Sequence, residues 1–79
     1  MNIREYTGEY VKITITKGIG SSKRVMSYVG KIDKISRFTF MIVDRPRQYS
    51  NVTLPRQIYI RDIKVLTDRD KNRYYNDSC

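Results

Sequence analysis

The stretch Gln57-Ile58-Tyr59-Ile60-Arg61-Asp62-Ile63-Lys64-Val65-Leu66 decides how this chain is read. Ile58 and Ile60 keep a two-residue period; Ile63 and Val65 keep the same period on the opposite phase, with Arg61-Asp62 at the slip. In a strand, an offset of one residue exchanges the buried face for the exposed one. The simplest account is two short strands joined by a tight single-turn break at Arg61-Asp62, the kind of break that joins the last two strands of a small five-stranded barrel.

The rest of the chain supplies the other strands. Residues Tyr10 to Thr16 alternate, with Val11, Ile13 and Ile15 against Tyr10, Lys12, Thr14 and Thr16, as a half-buried strand requires. Lys17-Gly18-Ile19-Gly20-Ser21-Ser22 is a turn or hairpin loop. Lys23 to Ile35 reads as a longer second strand with apolar groups on both parities, so it is buried on both faces for part of its length or bends. Gly30 is the natural bend, since glycine inside a strand marks a bulge or a barrel corner; a small residue beside a bulky neighbour is the plainer alternative. Phe38 to Asp44 is the third strand and the most buried by pattern, after a short turn at Ser36-Arg37. A polar loop, Arg45 to Asn51, precedes a fourth strand from Val52 to Ile60, with Pro55 implying an edge, a bulge or a late start near Arg56. Ile63 to Leu66 is the fifth.

These patterns predict an all-β protein, a small five-stranded SH3-like barrel spanning residues 1–66 and closed or nearly closed, since closure removes sticky edges. Asn2 to Tyr6 is long enough for one helical turn. Residues 67–79 carry almost no aliphatic side chain and read as a flexible polar tail, with a short helix as second choice.

A chain of 79 residues makes one domain with a modest core and little room for a deep catalytic cavity. Sixteen Lys and Arg against eight Asp and Glu give a net charge of +8, which attracts polyanions through counterion release. The single cysteine, Cys79, makes no internal disulfide, and histidine is absent. The N-terminus has no signal-peptide pattern, and the longest apolar run, Phe38 to Val43, is too short for a bilayer. A cytoplasmic protein with no membrane partner is the expectation.

No catalytic constellation is visible, so a non-enzyme is expected. Ser21 and Ser22 lack a histidine partner, and Asp33, Asp44 and Asp62 read as solvated or Arg-paired rather than as metal ligands. Neither cofactor nor metal is expected. The glycine loop is not a phosphate-binding P-loop, because the spacing and the following helix are missing.

Basic residues beside aromatics are the binding candidates. The first group is Lys17, Lys23 and Arg24 around the glycine loop, with Tyr28 further along. The second is Arg45, Arg47, Tyr49 and Arg56 around the Pro46 loop, suited to phosphates and to stacking on an unpaired base. Each has a plain reading as an exposed loop. Phe38, Phe40, Ile42, Val11 and Ile13 are assigned to the core.

In this order the segments resemble the Sm-like (LSm) family. Gly8 to Gly18 is similar to its opening strand, Gly30-Lys31-Ile32-Asp33-Lys34-Ile35 to the centre of its first motif, and Ile60-Arg61-Asp62-Ile63-Lys64-Val65 to its second motif, Ile-Arg-Gly. Ser36 and Thr39 stand nearest the places of the family's base-binding Asp and Asn, and Asp62 replaces the Gly. The resemblance implies an Sm-like barrel, assembly of a homo-oligomeric ring, and a third basic pair, Arg37 with Arg61, at two turns brought together; it does not carry over the uridine pocket. The expected partner is nucleic acid, single-stranded RNA ahead of DNA. A duplex-DNA-binding SH3-like protein and a protein-interaction module are the alternatives.

Overall fold

The computed structural model describes residues 3–76. A 3-10 turn at Ile3–Tyr6 leads into β1 (Tyr10–Lys17), β2 (Arg24–Asp33), β3 (Thr39–Val43), β4 (Val52–Pro55) and β5 (Tyr59–Val65); α1 (Asp68–Tyr75) follows. The five strands form one antiparallel sheet in the order β4-β3-β2-β1-β5. The sheet is open: among the described residues β4 and β5 have no ladder between them and stand as its two edges. No helix among these residues is long and apolar enough to cross a membrane.

β1 lies between β2 and the edge strand β5 and is paired with both. Its alternation turns Val11, Ile13 and Ile15 inward, each fully buried. Ile32, Phe40, Ile42 and Leu54 from β2, β3 and β4 complete the buried cluster with Ile3 and Ile63. Fully burying a side chain of this size is worth about 1.5–3 kcal/mol, so this cluster is the main source of stability.

The phase slip at Arg61-Asp62 is a β-bulge inside one strand, not the break expected there. Along β5, Ile63 opposes Ile13 and Asp62 opposes Thr14, but Ile60 opposes Ile15, so Arg61 is the extra residue. A bulge lets two residues face one across the ladder. Ile60 and Ile63 therefore both reach the core face, while Arg61 and Asp62 both fall on the outer face. The turn separating the last two strands comes earlier, after Pro55, which ends β4. Proline has no N–H to continue a ladder.

Two other expectations are corrected. Phe38 is 72 % exposed and outside the core; the turn closed by the Ser36 backbone N–H donating to Thr39 O rotates the chain, so the inward alternation begins only at Thr39 and Phe40. β2 is covered for only part of its length: its first four residues are exposed, because Arg24 to Gly30 pairs with β1 alone and β3 joins only at Lys31. Residues 68–75 form a helix with a capping box: Thr67 Oγ1 accepts from the Asp70 backbone N–H, and Asp70 Oδ2 accepts from that of Thr67. That box satisfies two orphan donors of the first turn and outweighs the polar composition that suggests a tail. Residues 77–79, with Cys79, lie outside the described residues.

Gly30 marks the point where β3 meets the hairpin. A Cβ built there would lie 2.6 Å from Ile42 Cγ2, 2.8 Å from Val43 O and 3.0 Å from Arg45 Cγ. The glycine thus permits a close approach of backbone and side chain at the start of the β2–β3 ladder. Gly30→Val should destabilise the fold by about 1–3 kcal/mol through overpacking. In urea melts the expected result is a lower midpoint with an unchanged slope.

Candidate nucleic-acid interface

Arg45 follows closely on β3, where the ladder with β2 has ended. The Val29 carbonyl has no β3 partner at that level, and Arg45 Nε donates to it at 3.4 Å. Its Nη1 donates to Ser50 O at 3.0 Å, closing the loop after β3. The guanidinium carbon lies 5.2 Å from the ring centroids of both Tyr28 and Tyr49. Arg45 is thus a tie between backbone and aromatic groups, and two of its donors are already spent on carbonyls. Arg47 has a φ of 58° and Gln48 one of 59°, a left-handed pair that turns the loop back on itself beside the buried Pro46.

Ser27, Val29, Arg45, Pro46, Arg47, Tyr49 and Tyr74 line a cleft of about 260 Å³. The cleft unites Arg45, Arg47 and Tyr49 of the expected second group. Arg56 is elsewhere. In the turn after β4, its Nη1 donates to Ser36 O at 3.0 Å and its backbone N–H to Phe38 O at 2.9 Å. It shares a smaller cleft with Arg37 and Phe38, whose ring carries the Arg37 guanidinium at 5.4 Å. The pairing of two turns expected for Arg37 and Arg61 is therefore made by Arg37 and Arg56.

Arg61 belongs with the glycine loop. With Thr16, Gly18, Lys23 and Tyr59 it lines a third cleft, of about 420 Å³. Thr16 Oγ1 is buried there without a hydrogen-bond partner among the described residues. Lys17 and Arg24 face each other across the end of the β1–β2 ladder, both exposed. Tyr28, expected beside them, packs under Arg45 instead.

Helix α1 supplies Lys71, Tyr74 and Tyr75, which in the sequence stand with Arg69 and Arg73 among acids that largely cancel the positive charge. Adjacent positions on a helix point about 100° apart, and Tyr74 enters the Arg47 cleft while Tyr75 goes to the start of β1. The Tyr75 hydroxyl donates to Asp44 O at 2.8 Å, and its ring meets Tyr10 edge-on at 5.6 Å. The Tyr10 hydroxyl donates to the Asp44 carboxylate, and Lys71 Nζ lies 5.1 Å from the Tyr10 ring centroid. The signals are present as Thr67-x-x-Asp70 and Tyr74-Tyr75, but their partners Tyr10 and Asp44 are distant in sequence.

Burial, then the Asp44 and Tyr10 neighbours, pushes the Tyr75 phenol from 10.0 up to about 12. A raised value means that the fold favours the neutral phenol. This stabilisation is complete below pH 10, the ordinary ionisation range, and is lost as pH rises towards about 12. An alkaline titration followed by tyrosinate absorbance should show a late-ionising tyrosine that disappears in Tyr75→Phe. Helical circular dichroism should fall over the same interval. Comparison of the chain with known protein families, curated proteins and solved structures finds no match.

Proposed function

We propose that this protein binds single-stranded nucleic acid, RNA ahead of DNA, without catalysis, and that the cleft after β3 is its principal contact. The observation that carries this reading is the stack at Tyr49. One face of its ring is backed by Arg45, and the residue remains 54 % exposed. A ring held in place by a cation and still open to solvent is a platform for an unpaired base, and base–aromatic stacking is worth about 1–3 kcal/mol. Arg47 and Tyr74 border the same cleft. The net charge of +8 supplies the long-range attraction to phosphates. Arg45 acts as the positioning residue that holds Tyr49, and Arg47 is the phosphate contact.

We read the open five-stranded sheet as a small Sm-like or SH3-like barrel whose seam stays open within one chain. The strand order leaves β4 and β5 as the two edges, the arrangement needed if β4 of one copy pairs with β5 of the next to build a ring. Native mass spectrometry tests that assembly: a hexamer or heptamer is expected, and a clean monomer would remove the ring from the proposal.

Tyr49→Ala should weaken binding of a short single-stranded RNA by the stacking contribution, about 1–3 kcal/mol, and leave its salt dependence unchanged. Arg47→Gln should flatten the slope of log affinity against log salt by about 0.7, the loss of one phosphate contact. Fluorescence titrations across several salt concentrations measure both. Wild-type affinity and slope in the two variants would exclude this cleft. Matched single-stranded RNA, single-stranded DNA and duplex DNA in competition rank the substrates.

A further inference from the structure

The cleft after β3 and the cleft at the glycine loop open on the same side of the sheet. Directly opposed residues on antiparallel strands share a face. Away from the core, the ladders place Tyr59, Thr16 and Val25 in one row, Asp62, Thr14 and Ser27 in the next, and Lys64, Lys12 and Val29 in a third. The first row carries Thr16 and Tyr59 of the glycine-loop cleft. Ser27 and Val29, on the second and third rows, form the floor of the Tyr49 cleft. The two clefts are therefore the ends of one outer surface and not separate features.

We infer that this outer face of β5-β1-β2 is a continuous track for one single-stranded nucleic acid, with Tyr59, Arg61 and Lys23 gripping one end and Tyr49 and Arg47 the other. The inference rests on the reading of the Tyr49 cleft given above and extends it to a second site and a defined footprint. Three observations carry it. Each end pairs an exposed tyrosine with basic side chains, Tyr59 being 69 % and Tyr49 54 % exposed. Between them the middle row is polar, with Thr14 Oγ1 and Ser27 Oγ 3.2 Å apart and hydrogen-bonded to each other. The three rows and the bulge hold Lys12, Lys64 and Arg61 against Asp62, with Asp70 of α1 near Lys64, and the remaining positive charge complements a polyphosphate.

The bulge is what makes the far end possible. An unbulged β5 that kept Ile63 on Ile13 would place Ile60 outward and Arg61 inward. The extra residue puts Arg61 on the outer face beside Tyr59 and Lys23. The first and third rows are four residues apart along β1, roughly 14 Å at the usual strand rise of about 3.4 Å. At about 3.4 Å per nucleotide, the rise of one duplex strand, that is about four steps, or about five nucleotides, which sets the length at which both ends are first engaged.

The test is a length series of oligouridylates, from about 3 to about 12 nucleotides, with oligothymidylates in parallel, titrated by fluorescence anisotropy against the full chain. The wild-type protein should bind the trimer weakly and gain about tenfold or more in affinity once the strand spans both ends. The double variant Lys23→Gln, Tyr59→Ala changes two exposed side chains; it should lose that gain and keep the trimer affinity. Asp62→Asn, a second and independent variant, should bind the longer strands about threefold more tightly and the trimer unchanged. A length gain that survives in the double variant, or no gain in the wild type, overturns the track and leaves the Tyr49 cleft standing. Absence of binding to any oligonucleotide overturns both readings. A gain with uridylates but not thymidylates supports the track and assigns it to RNA; equal gains support it for either nucleic acid.

Discussion

The inward row of β1, Val11, Ile13 and Ile15, is the constraint to which the other elements conform. These three side chains are fully buried, and β1 is paired along most of its length on both sides. Any partner strand must present apolar groups to that row at its spacing. β2 does so through Tyr28 and Met26 opposite Ile13 and Ile15, with Gly30 opposite Val11 leaving the space that Ile42 occupies. β5 does so only by inserting Arg61, so that Ile60 and Ile63 both land on the row. The same insertion sends a cation to the outer surface. A requirement of the core thus sets the charge pattern of the opposite face.

The basic residues divide by what else they do. Arg45 and Arg56 each reach across the fold to a backbone carbonyl, Arg45 tying its loop to β2 and Arg56 tying the turn after β4 to the turn before β3. Lys17, Lys23, Arg24 and Arg61 lie on exposed positions around the hairpin end and the bulge. Sequence alone cannot make this division, because a guanidinium satisfying an unpaired carbonyl and one awaiting a phosphate have the same composition and the same loop setting. What separates them is where a ladder stops. Val43 is the last residue of β3, Asp44 turns the chain with a φ of 50°, and Arg45 arrives beside Val29.

Much of the strand content is legible because period-two alternation is a direct record of a buried face, clearest in β1. The fifth strand misleads for a definite reason. A one-residue change of phase has two physical solutions, a break or a bulge, and both bury the same isoleucines; the choice depends on the partner strand, which the local sequence does not contain. Phe38 reads as core because it shares parity with Phe40, but the hydrogen-bonded turn at Ser36–Thr39 interrupts that parity. The C-terminal segment reads as a tail because it lacks aliphatic residues, although its helix is specified by a four-residue capping signal and anchored by aromatic contacts to Tyr10. Of the candidate binding residues, Arg45, Arg47 and Tyr49 group in sequence as the fold groups them, whereas Tyr59 and Tyr74 need the ladder and the helix to be seen.

The strand order also distributes the cost of loop closure unevenly along the chain. β1, β2, β3 and β4 are joined by short connections, each paired with its immediate predecessor. β5 alone must travel back past three strands to reach β1, and closing so long a loop carries the largest entropic cost. Its arrival brings Ile60 and Ile63 onto the core and, in the same movement, carries Tyr59 and Arg61 to Lys23. That end of the surface therefore depends on the pairing with the longest loop to close, and a chain lacking it would leave the apolar row of β1 uncovered on that side.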